Sequence, residues 1–264
     1  MEKKRNFYFR TETVNNESVE VYLGQNSGKQ LSEDLLNAKS EVLIISPYID
    51  ETKLNELINL KNRNINVRLA FSDLRKEQYK QILRMLIHQN KETNVKEKDR
   101  KLKLINLYQI VSIASLCVGI FLLIYNFFEK YKGGKLIGIY LLSFGLFYAF
   151  YYFNKLKKLA EKIEIYKYHY SEKINFKYLR ATKDDNMFIH SKIFVIDRKI
   201  AYLGSINFTN KGFTSNFETR VRITQKSKVE ELVDFLHNIF DDNRSFNKHE
   251  LWYLGKQAYT EEKY

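Results

Sequence analysis

Asn106 to Phe128 runs for 23 residues without a charged side chain, and Leu136 to Phe153 runs for another 18. A helix needs roughly 20 predominantly apolar residues to cross the hydrocarbon core of a bilayer. The other place for such segments is a buried core, but a domain built from 264 residues has nowhere to bury two adjacent helices that are apolar on every face. The chain is therefore expected to carry a transmembrane helical hairpin over residues 106–153, joined by the seven residues from Glu129 to Lys135. Tyr108, Tyr125, Tyr131, Tyr148, Tyr151 and Tyr152 suit interfacial belts at its ends. Ser115 with Gly119, and Gly145 with Ala149, are small residues four apart that would let helices approach closely.

Charge gives the hairpin a direction. Lys96, Lys98, Arg100, Lys101 and Lys103 precede it and Lys155, Lys157, Lys158 and Lys162 follow it, against Lys130, Lys132 and Lys135 in the loop. Both outer flanks, and everything attached to them, are expected on the cytoplasmic side. The formal net charge is +13, from 44 Lys plus Arg against 31 Asp plus Glu. That excess suits polyanions, whether nucleic acid phosphates or anionic lipid headgroups. A single cysteine, Cys117, excludes an intrachain disulfide framework. The first ten residues are charged but no apolar run follows them, so no signal peptide is expected.

Outside the hairpin the pattern alternates between strand and helix. Two short alternating runs within residues 7–23 read as strands. Gly24 to Gln30 (G-Q-N-S-G-K-Q) looks like a phosphate loop, but it is one residue short between its glycines and has Gln30 where a hydroxyl should hold magnesium. A turn opening a helix with Leu31, Leu35, Leu36 and Ala38 on one face is the better reading. Val42 to Ser46 is a short continuous apolar run, as in a strand buried on both faces. A helix with Leu54, Leu57 and Ile58, a strand from Ile65 to Phe71, and a helix from about Leu74 carrying Ile82, Leu83, Leu86 and Ile87 complete a β-α-β-α rhythm. Such a rhythm implies a mixed, largely parallel sheet flanked by helices. After the hairpin, a helical extension to about Tyr168 is expected, then a strand from Ile174 to Arg180. A strand from Phe217 to Thr224 follows, and then a helix behind a Ser227–Glu230 capping box with Val229, Leu232, Val233, Leu236 and Phe240 inward. The last twenty residues carry no readable pattern. The expected organisation is one α/β domain, residues 1–105 and 154–264, interrupted by the membrane insertion at 106–153.

Within the second half, Ile189 to Asn207 places His190, Lys192, Asp197, Gly204, Ser205 and Asn207 in the order H-x-K-x4-D-x6-G-S-x-N. Run as a strand, Phe188, His190, Lys192 and Phe194 share one face, with Ile189, Ile193 and Val195 on the other. Ser205 and Asn207 repeat the spacing of two after a tight turn near Asp197-Arg198-Lys199. Imidazole, ammonium, hydroxyl and amide are together the groups that suit a phosphate.

This pattern resembles the phospholipase D superfamily, whose members carry the H-x-K-x4-D motif followed by G-S-x-N. A glutamate on the next strand is a further feature of that family, and Glu218 in N-F-E-T-R-V is the candidate. The resemblance implies a phospholipase D-like fold and a phosphodiesterase that uses neither metal nor cofactor and passes through a covalent phosphohistidine. His88, His169, His237 and His249 are scattered and show no ligand spacing.

In that chemistry a neutral His190 attacks phosphorus, and a carboxylate at Glu218 orients the ring and stabilises the cation that forms. Lys192 and Asn207, assisted by Ser205, hold the nonbridging oxygens as charge builds. Asp197, at the far end of the strand, is assigned to holding the hairpin. One histidine cannot serve as nucleophile and general acid at once, and members of the family with a single motif pair as homodimers. A symmetric dimer with a shared site is the expectation. The function expected first is a membrane-anchored nuclease acting on DNA or RNA, with Lys61, Arg63, Arg68, Arg75, Lys76, Lys80 and Arg84 as candidate backbone contacts. The alternative is a phospholipid hydrolase or phosphatidyl transferase, of the phospholipase D or cardiolipin synthase kind, with phospholipid as substrate and partner. A pocket that binds a phosphorylated ligand without turnover is a third.

Overall fold

The computed structural model describes residues 7–12, 17–129, 133–179, 189–241, 249–262 and 264. Phe188, Arg180, Lys130, Tyr131 and Lys132, which figure among the expectations above, lie outside them. The chain divides into two compact units, one formed by Met1–Gln89 with Tyr170–Thr260 and the other by Asn90–His169 with Glu261–Tyr264.

The first unit is built on β1 (Phe7–Glu12), β2 (Ser18–Gly24), α1 (Lys29–Leu36), β3 (Glu41–Ile45), α2 (Glu51–Asn62), β4 (Asn66–Phe71) and α3 (Tyr79–Leu86). After β5 (Ile87–Thr93), the long helices α4 (Val95–Glu129) and α5 (Gly134–Glu161), and β6 (Tyr166–Glu172), it resumes with β7 (Asn175–Tyr178), β8 (Ile193–Ile196) and β9 (Ile200–Gly204). It ends with α6 (Asn210–Thr214), β10 (Glu218–Ile223), α7 (Lys226–Asp241) and α8 (Leu251–Ala258). Eight strands make one sheet in the order β1-β2-β10-β9-β8-β3-β4-β7.

The sheet is mixed and flanked by helices, as expected. Its parallel part is the β3–β4 and β4–β7 pairing, the product of the β-α-β-α half. The hairpins and β3–β8 pair antiparallel, so the parallel share is smaller than that rhythm alone suggests. The run at Val42–Ile45 is apolar at every position because both faces of β3 are covered. Val42 and Ile44 face α1, α2 and α3 through Leu31, Leu35, Leu54, Leu57, Ile82 and Leu86. Leu43 and Ile45 face α7 through Val229, Val233, Leu236 and Phe240. Each such fully buried side chain contributes about 1.5–3 kcal/mol.

Several boundaries differ from expectation. α3 begins at Tyr79 rather than near Leu74, and Ile87 already belongs to β5. Leu36, at the end of α1, is exposed. α7 opens at Lys226, which puts Ser227 inside its first turn, and Gln225 O accepts the Lys228 and Val229 N–H groups at 3.0 Å each. The expected capping box is therefore displaced by the helix starting earlier.

In the second unit, α4 and α5 are each long and apolar enough to cross a membrane. Their side chains show a lipid-like exterior: Ile110, Phe121, Phe127, Leu141 and Phe144 are all exposed. Between the helices, Asn154 Nδ2 donates to Ser112 Oγ at 2.7 Å, and Gly119 faces Leu146 and Phe147 closely. Gly145 faces open space, so the second small-residue pair does not mediate this contact. The helix after the hairpin ends at Glu161, and Tyr166 to Glu172, expected in part as helix, is β6, paired with β5 in a two-stranded sheet.

Candidate active site

Three chain segments converge at one end of three interior strands of the large sheet because of register. Ile193 on β8 pairs with Leu203 on β9, and Gly204 on β9 pairs with Arg220 on β10. Lys192 immediately precedes the first pair, Ser205 follows Gly204, and Glu218 opens β10. All three must therefore emerge at the same end of neighbouring strands.

His190 and Lys192 stand before the ladder rather than on it, since β8 begins only at Ile193. They meet nonetheless. Lys192 Nζ donates to the His190 carbonyl at 2.6 Å and lies 2.9 Å from Nδ1 and 3.3 Å from Nε2 of the ring. His190 is exposed, whereas Lys192 is buried at 7% exposure. Burial pushes the Lys192 ammonium below the ordinary lysine range, and the Glu218 carboxylate pulls it partly back.

Glu218 is itself buried, and its hydrogen bonds come from Ser205 Oγ, a very short contact, and from Asn216 Nδ2 at 3.1 Å. Ser205 Oγ also accepts the Thr219 N–H at 2.9 Å, and Ser205 N donates to Thr219 O at 3.0 Å. Ser205 and Asn216 thus orient the carboxylate. Gly204 makes this junction possible: a Cβ there would lie 2.0 Å from Thr219 O.

Asn207 sits in the turn leading to α6. Its backbone is pinned on both sides, by Phe208 N donating to Ser46 Oγ at 2.9 Å and by Thr209 N donating to Asn207 O at 2.7 Å. Asp50 caps α2 through the Lys53 N–H and accepts the Asn210 N–H at 2.6 Å with its other oxygen. Asn207 Oδ1 is buried with no partner among the described residues. Ser46, Asp50 and Asn216 are supporting residues that sequence reasoning missed. Asn216 alone left a signal, an amide two positions before Glu218.

Asp197 lies at the opposite end of β8. With Arg198 it forms the two-residue hairpin turn, both at φ 54°. Burial would raise its pKa, but N–H groups of Ser40, Glu41 and Lys39 and the Ser40 hydroxyl, all donating to the carboxylate at 2.7–3.1 Å, hold it below the ordinary value.

Of the basic residues expected to contact nucleic acid, three are committed to the protein. Arg63 donates to Leu36 O and Ala38 O, Arg84 donates to Ala258 O, and Arg68 is buried against Asp241. Lys61, Arg75, Lys76 and Lys80 remain exposed. Among the described residues no three His, Cys, Asp or Glu side chains gather as a metal-ligating group.

Residues 150–243, which contain the whole H-x-K-x4-D…G-S-x-N pattern and Glu218, match the family described as cardiolipin synthase, PLD-like domain. This segment is a domain of the phospholipase D superfamily. Curated phospholipase D relatives include the cardiolipin synthase of Listeria welshimeri, 37% identical over 79 residues, which are 28% of this chain and 16% of that one. Another is cardiolipin synthase 2 of Staphylococcus epidermidis, 33% identical over 87 residues, or 32% and 15% of the two chains. The match thus spans about a sixth of the length of these relatives. Among solved structures, the phospholipase D family member Nuc from Salmonella typhimurium aligns over 88% of this chain and 99% of its own, at 11% identity and a TM-score of 0.40.

Proposed function

We propose that this chain is a membrane-anchored phosphodiesterase acting on a phospholipid headgroup, through a covalent phosphohistidine on His190. The observation that carries this reading is the meeting of His190 with a buried, desolvated Lys192 at the strand ends where Ser205 and Glu218 also emerge. The imidazole nitrogen attacks phosphorus, the phosphorus–oxygen bond to the departing alcohol breaks, and that oxygen takes a proton from a general acid. Water or a second alcohol then attacks phosphorus and loses its proton to the same group, and the phosphorus–nitrogen bond breaks to free His190. Lys192 and Asn207 hold the nonbridging oxygens, and the orphaned Asn207 Oδ1 fits a side chain whose partners arrive with the ligand. Glu218, fixed by Ser205 and Asn216, keeps Lys192 charged.

The general acid is His190 of a second copy in a symmetric dimer, because one ring cannot occupy both sides of phosphorus. The two apolar helices anchor the dimer, and the basic flanks orient the α/β unit toward the cytoplasm. The residues 1–105 and 154–264 then work as one domain interrupted by the hairpin.

Phospholipid is favoured over the nucleic acid expected first, because relatives at 33–37% identity are cardiolipin synthases and because Arg63, Arg68 and Arg84 are tied to the protein. The nuclease reading keeps one supporting observation, the net charge of +13. The test is detergent-solubilised protein incubated in chelator with mixed phospholipids, DNA and RNA beside a His190→Ala variant. Chelator-resistant turnover of lipid alone, absent from the variant, is expected. Cleavage of DNA or RNA with lipid untouched would transfer the assignment to the nuclease.

A further inference from the structure

The loop that sequence patterning sets aside as an imperfect phosphate loop lies against β10. The single Ser27 hydroxyl proton is shared between Gly24 O, 2.5 Å from Oγ, and Glu218 O, 2.9 Å away, and Gly24 pairs with Glu218. Gly28, at the start of the eight-residue α1, approaches so closely that a Cβ would lie 2.4 Å from Phe213 Cα. Beside this turn is a cavity of about 320 Å³ lined by Tyr22, Asn26, Lys29, Gln30, Glu33 and Arg220.

Arg220 is the unusual member. It is only 7% exposed, and its Nη1 donates to Ser27 O at 3.0 Å, while Nε is buried without an acceptor. The guanidinium packs near the rings of Tyr22 and Tyr202, at 5.3 and 5.9 Å. No carboxylate among the described residues forms an ion pair with it. Other arginines of the sheet differ: Arg222 pairs with Asp34 at 3.0 Å and Glu20 at 3.3 Å, and Arg68, on β4, pairs with Asp241. A buried guanidinium without a counter-charge is costly unless an anion is supplied from outside.

We propose that the Tyr22–Arg220 cavity is a second phosphate-binding subsite, separate from the candidate catalytic centre two residues away on β10. Arg220 and Lys29 supply the positive charge and the start of α1 offers its positive end. Glu33, at the cavity wall, is the one negative group and sets a limit on how much anionic charge is taken. The recognised chemistry is a phosphate group, whether free or on a small headgroup such as glycerol phosphate. The subsite does not depend on which phosphodiester the chain cleaves.

The experiment is calorimetric titration of the purified, detergent-solubilised full chain with inorganic phosphate and, separately, with glycerol 3-phosphate. His190→Ala combined with Lys192→Ala removes the imidazole and the ammonium of the candidate catalytic centre, and one equivalent of phosphate is expected to bind still. Adding Lys29→Glu, an exposed position, should weaken that binding by about tenfold or more. Arg220→Gln should abolish it, with the thermal midpoint of each variant reported as a check on folding. Tighter binding of glycerol 3-phosphate would point to a headgroup, and equal binding to the phosphate alone. Either ranking supports the subsite. Absence of saturable binding in the doubly substituted chain, or binding that Lys29→Glu leaves unchanged in a folded protein, would overturn it. Wild-type turnover, measured apart, reports on the catalytic proposal and not on this one.

Discussion

Ser205 and Glu218 are joined directly: the serine hydroxyl donates to the glutamate Oε2 while accepting the Thr219 N–H at 2.9 Å. The serine thus acts as a clasp between the end of β9 and the start of β10. Replacing Ser205 by Ala leaves Glu218 with Asn216 as its remaining hydrogen-bond donor. The expected result is a loss of about tenfold in kcat, the scale of one hydrogen bond to a charged group, with the thermal midpoint nearly unchanged. Steady-state kinetics beside a melting curve separates this from a general loss of fold.

The state of Lys192 predicts a pH profile. Desolvation favours its neutral form and Glu218 opposes that shift. Activity that needs the ammonium should therefore fall at alkaline pH earlier than an ordinary lysine would cause. Glu218→Gln removes the opposing charge, so the alkaline limb of the residual activity should move to lower pH. A limb that stays in place, or moves up, would contradict the electrostatic link between the two residues.

Asp197 predicts a stability effect rather than a kinetic one. Its folded-state pKa lies below the ordinary 3.8, so the stabilisation is fully present above that value and is lost as pH falls from it through the lower folded-state pKa. Asp197→Ala removes the acceptor for the Lys39, Ser40 and Glu41 N–H groups and should cost about 1–3 kcal/mol at neutral pH. The difference between variant and wild type should shrink in acid. Denaturant unfolding at two pH values checks both parts.

Gly204→Ala tests the strand junction itself. The added methyl would meet Thr219 O at 2.0 Å, and Arg220 Cα at 3.3 Å. Relief requires β9 and β10 to separate where Ser205 and Glu218 meet. Turnover is expected to fall further than in Ser205→Ala, together with a lower thermal midpoint.

Legibility in the sequence followed physical simplicity. The apolar run at Val42–Ile45 betrayed a strand covered on both faces, and Val229, Val233, Leu236 and Phe240 betrayed the inner face of α7, because burial alone set those patterns. The motif residues were legible through their fixed spacing, although His190 and Lys192 precede β8 and Ser205 and Asn207 follow β9 rather than lying on the strands. β5 was not, since Ile87-His88-Gln89-Asn90-Lys91-Glu92-Thr93 carries almost no apolar alternation. β6 did alternate through Tyr166, Tyr168 and Tyr170, but the expected helical extension covered that signal. The roles of Arg63, Arg68 and Arg84 were invisible for another reason. An arginine bonded to its own protein and one left free for a ligand look alike until the carbonyls and carboxylates that receive them are located.

The shared site predicts a mixing result. If one His190 attacks and the partner's protonates, a pair with one altered subunit lacks a role. Equal, exchanging amounts of wild type and His190→Ala should then retain about a quarter of the activity of the all-wild-type protein, against about half for independent subunits. Subunit exchange before assay makes the two outcomes distinct.

The most direct measurement is rapid quenching at alkaline pH during turnover of a phospholipid in chelator, followed by mass spectrometry of the peptide containing His190. A phosphoramidate adduct on His190, labile in acid and absent from His190→Asn, is the predicted result. Sustained turnover with no adduct at any time point, or with the adduct on another residue, would contradict it.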